Sequence, residues 1–253
     1  MTRKILKNKP LIEAIFELRW GLEGSPKEIK IDPLLIGRIY DRIKEEYPFY
    51  EKLPAANIPD ELASYVIQHR FRKGKDEWPL IQIGPGIITL NETERYTWDD
   101  FKRRVSFLIE TLLEIYSSSD NLVIRSLLLR YIDAIEFDYE KNNVLSYLNN
   151  NMRMNVDVCP ELFEYSGIDE LPLSLDLKFT FPTADPKGTV HLRFARGKVI
   201  EKDALLWETL VQSVDGDTPG DKDDILEWVD EAHNLTDDWF FKIIEGDLLR
   251  RFE

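Results

Sequence analysis

Along "PLIEAIFELRWGL" (residues 10–22) apolar and charged positions alternate. Ile12, Ala14, Phe16, Leu18 and Trp20 fall on one face, and Glu13, Glu17 and Arg19 fall on the other. A period of two predicts a half-buried strand. Asp32-Pro33 then reads as a helix cap and first helical position. The helix carries Leu35, Ile36, Ile39, Tyr40 and Ile43 inward and stops before Pro48. Strands are expected at 63–73, 79–84 and 86–91, the first two joined by a Lys-Gly-Lys-Asp turn. From Thr97, a cap residue, the period changes to 3.6. Phe101, Val105, Leu108, Leu112 and Ile115 form one stripe, which predicts a helix over 97–118.

Beyond residue 120 the same grammar returns. "NLVIRSLLLRYIDAIEFD" reads as a long strand and "NNVLSYLNNNM" as a short helix. "LPLSLDLKFTF" alternates again, with Leu173, Leu175, Leu177, Phe179 and Phe181 inward; "GTVHLRFARGK" is its hairpin partner and "ALLWETLVQSV" a further strand. The chain closes on "ILEWVDEAHNLTDDWFFKIIEGDLLRRF", one long helix or two joined near "NLTDDW". The expected fold is α+β, with two similar β-α-β-β-β-α halves, 1–120 and 121–253. They can share one mainly antiparallel sheet covered on one face by the long helices near 97–118 and 222–252, or form two separate small domains. An internal duplication rests on element order alone, because the halves show no strong residue identity.

Composition narrows the class. With 43% apolar and 32% charged residues, the chain is expected to be globular and soluble. No stretch approaches the roughly 20 apolar residues of a membrane span. The start "MTRKILKNKP" lacks the apolar core of a secretory signal, and Cys159 is the lone cysteine, so a cytoplasmic protein is expected. The net charge of −14 is uneven. Residues 1–120 hold 19 basic and 20 acidic residues, whereas 121–253 hold 14 and 27. Bulk charge therefore argues against nucleic acid and allows a basic protein partner, with Asp223, Asp224 and Glu227 as its expected contacts.

Gly84-Pro85-Gly86 resembles a phosphate loop only superficially. Pro85 has no N–H to offer, and strand-like residues follow, so a turn between strands is the better reading. His69 and His191 are expected to be exposed strand histidines. A constellation of the two with Asp176 across a sheet is the functional alternative, and His233 is expected to line the side of a helix. The loop "DGDTPGDKDD" puts Pro219 and Leu226 where a calcium loop needs ligands, so it reads as a linker with a helix cap. No cofactor or metal site is expected.

Arg130 and Asp133 lie in an otherwise apolar strand, where charges are costly unless paired. An Arg130–Glu13 bridge is one reading. The functional alternative is a polar pocket between the halves that involves Glu13, Gln82, Arg130 and Asp133.

In combination, Pro10 and Glu13, the "QIGPG" run closing on Asn91, Tyr96-x-Trp98-x-x-Phe101, and Arg130-Tyr131-Ile132-Asp133 resemble a sporadically distributed family of uncharacterised prokaryotic proteins of about 250 residues. The resemblance implies an accessory role, in a defence or toxin–antitoxin setting, and brings no catalytic residues. The expected function is a non-enzymatic interaction module. The alternative is a small-molecule- or metal-dependent enzyme with its site at the junction of the halves.

Overall fold

A computed structural model describes residues 6–22, 33–59, 62–93, 95–116 and 122–253. The expected cap at Asp32 lies outside them. Among the described residues, nine strands form one antiparallel sheet. They are β1 (Leu11–Leu22), β2 (Phe49–Lys52), β3 (His69–Arg72), β4 (Leu80–Gly84), β5 (Ile87–Glu92), β6 (Leu122–Glu136), β7 (Asp176–Thr183), β8 (Gly188–Val199) and β9 (Lys202–Gln212). Their order across the sheet is β2-β3-β4-β5-β1-β6-β9-β8-β7. The helices are α1 (Pro33–Ile43), α2 (Trp98–Tyr116), α3 (Val144–Asn151), α4 (Lys222–Ile243) and α5 (Asp247–Phe252).

The alternation in β1 decides which face is covered. Ala14, Phe16, Leu18 and Trp20 are buried in one cluster with the inward stripes of α1, α2 and α4. Leu192, Phe194, Leu205 and Trp207 join α3 and α5 in a second cluster. Each fully buried large side chain contributes about 1.5–3 kcal/mol. The opposite face carries the polar alternates, tied across strands by Arg70–Gln82, Arg130–Glu208 and Arg193–Asp176 contacts. The two longest helices are joined by ion pairs between Lys102 and Asp230 and between Lys222 and Glu110.

Several details differ from expectation. The first half has an additional strand, β2, whose residues are all exposed. The strand expected at 63–73 is ordered as a strand only from His69 to Arg72. The C-terminal helix breaks at Gly246, which has φ 113°, and not near "NLTDDW". Gly84-Pro85-Gly86 forms the turn between β4 and β5, as the missing N–H suggested. Gly86 there takes φ 71°, and a Cβ on Gly84 would stand 1.9 Å from the Val66 carbonyl oxygen. The acidic linker ends where Asp221 caps α4 by accepting from the Asp224 N–H.

Candidate functional site

The central ladder pairs β1 with β6, from Leu22 opposite Leu122 to Leu11 opposite Asp133. Near its end β1 bulges: Glu13 pairs with Ile132, and Leu11, not Ile12, pairs with Asp133. An extra residue flips the side-chain alternation. Ile12, expected inward, is therefore 37% exposed, and Leu11 turns to the helix side. Just upstream the chain is anchored by the Ala134 N–H donating to the Pro10 carbonyl (2.9 Å) and by Asn8 N–H donating to the Phe252 carbonyl (3.0 Å).

These elements surround a cavity of about 260 Å³ between the sheet and the N-terminal end of α2 and the middle of α4. Asp133 and Tyr131 supply the wall from β6, and Thr209 supplies it from β9. Tyr96 and Trp98 come from the start of α2. His233, Thr236 and Phe240 come from successive turns of α4. The polar groups are connected. The hydroxyls of Tyr96 and Tyr131 are 2.8 Å apart, and the Tyr131 hydroxyl lies 2.9 Å from His233 Nδ1. The His233 ring stacks on Trp98 with centroids 3.7 Å apart and planes at 11°. Lys9 Nζ, at the rim, donates to the Tyr96 carbonyl at 2.6 Å.

Asp133 is different. It is 4% exposed, and no described residue hydrogen-bonds or ion-pairs with its carboxyl. Burial alone pushes its carboxyl up to about 8, so at neutral pH it is mostly the protonated acid. A perturbed carboxyl on the wall of a cavity marks a candidate functional site. In this state it can donate a hydrogen bond to a ligand; ionised, it is a fixed negative charge in a half-enclosed, aromatic setting.

The sequence-predicted site residues do not converge as one pocket. Glu13, Gln82 and Arg130 lie on the uncovered face, and Asp133 lies on the helix face, because residues 130 and 133 differ in strand parity. Arg130 pairs with Glu208 at 2.5 Å and is not bridged to Glu13; its side chain is 33% exposed. Glu13 instead accepts from Asn91 Nδ2 at 2.8 Å, and Asn91 joins Thr89 and Gln82 in a polar row ending at Arg70. The histidine constellation also fails. His69 is buried and stacked on Tyr50, whose hydroxyl is 2.9 Å from its Nδ1. Its strand is six positions from β8, or about 29 Å. His191 bonds Thr180 and Thr189, and Asp176 pairs with Arg193. Asp223, Asp224 and Glu227 are exposed on the first two turns of α4.

His233, Tyr96, Trp98 and Thr209 were not singled out as site residues. A signal existed for His233: it sits next to Ala232 on the stripe Ile225, Val229, Ala232 and Thr236 that buries α4. A histidine on such a stripe faces the core.

Among the described residues, no three His, Cys, Asp or Glu side chains stand together to hold a metal ion. No described helix is long and apolar enough to cross a membrane. No family model matches the chain, and no curated protein does. Among solved structures, Methanococcus jannaschii TBP is similar over 93% of this chain and 99% of its own, with 10% identity and a TM-score of 0.23. At that score the likeness carries no argument.

Proposed function

We propose that this chain is a non-enzymatic binding module whose ligand is a small molecule held in the cavity beside Asp133. One observation carries the reading: a carboxyl that is 4% exposed and has no side-chain partner among the described residues stands on the wall of a cavity large enough for an organic molecule. Burying such a group costs stability, and a ligand that satisfies it offsets that cost. The site lies where the first and second halves meet, since β1 and β6 form the central ladder there. The order of elements after each of these strands (helix, hairpin strands, long helix) supports a duplicated ancestor with halves 1–120 and 121–253.

The test is a thermal-shift screen of small compounds of differing charge on the intact chain, repeated with Leu11→Trp to fill the cavity. Compounds that raise Tm in the parent and lose the effect in Leu11→Trp support the reading. A screen in which no compound shifts the parent overturns it.

The exposure of Asp223, Asp224 and Glu227 favours a second role, as the contact for a basic protein partner in a cytoplasmic accessory system. Such a field accelerates encounter and is screened by salt over about 8 Å at physiological ionic strength. For a partner captured from native lysate, association should slow as salt rises and weaken when the three acids are reversed to lysine. Indifference to both removes these residues from the interface.

A further inference from the structure

We infer that the cavity binds a small organic cation, an amine with an apolar body, whose ammonium group sits against the Asp133 carboxylate. The inference rests on the reading of this cavity as the ligand site and names the ligand's chemistry.

Three features point to a cation. The first is Asp133 itself: it is buried, its carboxyl has no partner among the described residues, and it stands on the cavity wall, so an incoming positive charge would serve as its counter-ion. The second is the aromatic lining. Tyr96, Trp98, Tyr131 and Phe240 surround the same space, and aromatic rings attract cations through their negative faces. The third is the rim. Asp99 on α2 adds an exposed carboxylate, and the one lysine among the lining residues, Lys9, is engaged with the Tyr96 carbonyl. An anion would meet the Asp99 carboxylate at the rim and could not pair with an ionised Asp133, and a wholly apolar ligand would leave the buried carboxyl unsatisfied.

Volume sets the size. A cavity of about 150 Å³ accepts a benzene ring. The 260 Å³ here has room for one ring and a short aminoalkyl arm.

Binding has a proton signature. Near pH 7 Asp133 is mostly protonated, so an ammonium ion displaces the carboxyl proton to solvent as the ion pair forms. The other charged and titratable groups facing the cavity are Lys9 from the N-terminal segment, Tyr96 and Asp99 at the start of α2, Tyr131 on β6, and His233 and Asp237 on α4. Of these side-chain types, imidazole is the one that ordinarily changes charge near neutrality, which makes His233 the group to separate from Asp133. Replacing Asp133 separates the two: a proton released by Asp133 vanishes in Asp133→Asn, whereas a His233 effect persists.

The experiment is calorimetric titration of the intact chain with phenethylamine and benzyltrimethylammonium, beside the uncharged 2-phenylethanol and the anionic phenylacetate. Titrations are run at about pH 6, 7 and 8 in two buffers of different ionisation enthalpy. The expected result is binding of both cations at least about tenfold tighter than the neutral alcohol, with no binding of the acid. Affinity should rise by up to tenfold per pH unit to about pH 8, with close to one proton released at pH 7. Asp133→Asn, folded by circular dichroism, should lose the preference for charge and the proton release. If 2-phenylethanol binds as well as the amines, or Asp133→Asn leaves the amines unaffected, the cation inference falls while the cavity remains a ligand site. If none of the four binds, the cation inference falls outright, and the compound screen above still decides whether the cavity takes a ligand at all.

Discussion

The indole of Trp98 and the imidazole of His233 lie face to face, 3.7 Å between centroids, joining the first turn of α2 to the middle of α4. The stack and the 2.9 Å contact between Tyr131 and His233 Nδ1 fasten both long helices to the central strand. His233→Ala removes the stack and strips the half-buried Tyr131 hydroxyl of a partner. It should lower stability by about 2–4 kcal/mol, read from the urea midpoint at constant m-value. A change within about 0.5 kcal/mol, the usual size for surface positions, would mean that the ring does not tie the helices.

Asp133 predicts a pH dependence. Its folded-state pKa, about 8, lies above the unfolded value of about 3.9, so between those limits the folded state holds one more proton. Stability from this group is present at low pH and falls by up to about 1.4 kcal/mol per unit as pH climbs toward 8. Asp133→Asn, which mimics the protonated acid, should match the parent only below about pH 4 and gain on it steadily as pH climbs to about 8. Denaturant titrations at three pH values decide it; a constant difference between the two proteins would show that Asp133 keeps an ordinary pKa.

Gly84 should resist substitution for a reason unrelated to ligands. Its missing Cβ leaves room for the Val66 carbonyl, 1.9 Å from where that carbon would stand, so Gly84→Ala should cost at least about 2 kcal/mol. Gly220→Ala, with nothing within 4 Å, is the control and should be close to neutral. Nucleotides should leave Tm unchanged, because a turn between two strands presents no cluster of N–H donors. A saturable shift with ATP, lost in Gly86→Ala, would contradict this.

Arg130→Met tests the uncovered face. The Arg130–Glu208 pair is partly solvated, and such pairs contribute about 0–1 kcal/mol. The substitution should therefore move the midpoint little, and raising salt should narrow the difference further. A loss of several kcal/mol would mean that the pair behaves as a desolvated one.

Legibility followed from which signals are local. The strands with period two and the stripe of α2 could be read because burial repeats within a few residues. Strand β2 could not: Phe49–Lys52 is four residues long, exposed throughout, and set between Pro48 and Pro54. His69 was misread for its arginine neighbours. The parity that puts Arg70 and Arg72 on one face puts His69 with Phe71 on the other, where the helices pack. Parity likewise separates Arg130 from Asp133, so grouping them as one pocket overlooked a signal already in "RYID". Other features are non-local. The pairing of Arg130 with Glu208 spans 78 positions, and the bulge that exposes Ile12 exists only in the pairing of β1 with β6.

The central ladder has a consequence for how the chain is made. During synthesis β1 can pair with β5 as soon as residue 92 has emerged, but its other long edge waits for β6, which begins at Leu122. Until then a 12-residue strand with fully buried native positions at Phe16, Leu18 and Trp20 is the border of an unfinished sheet. An open border of that length is a template for another nascent chain. A product terminated at residue 116 would retain that exposed border and should self-associate, with β1 of one copy occupying the place of β6 in the next.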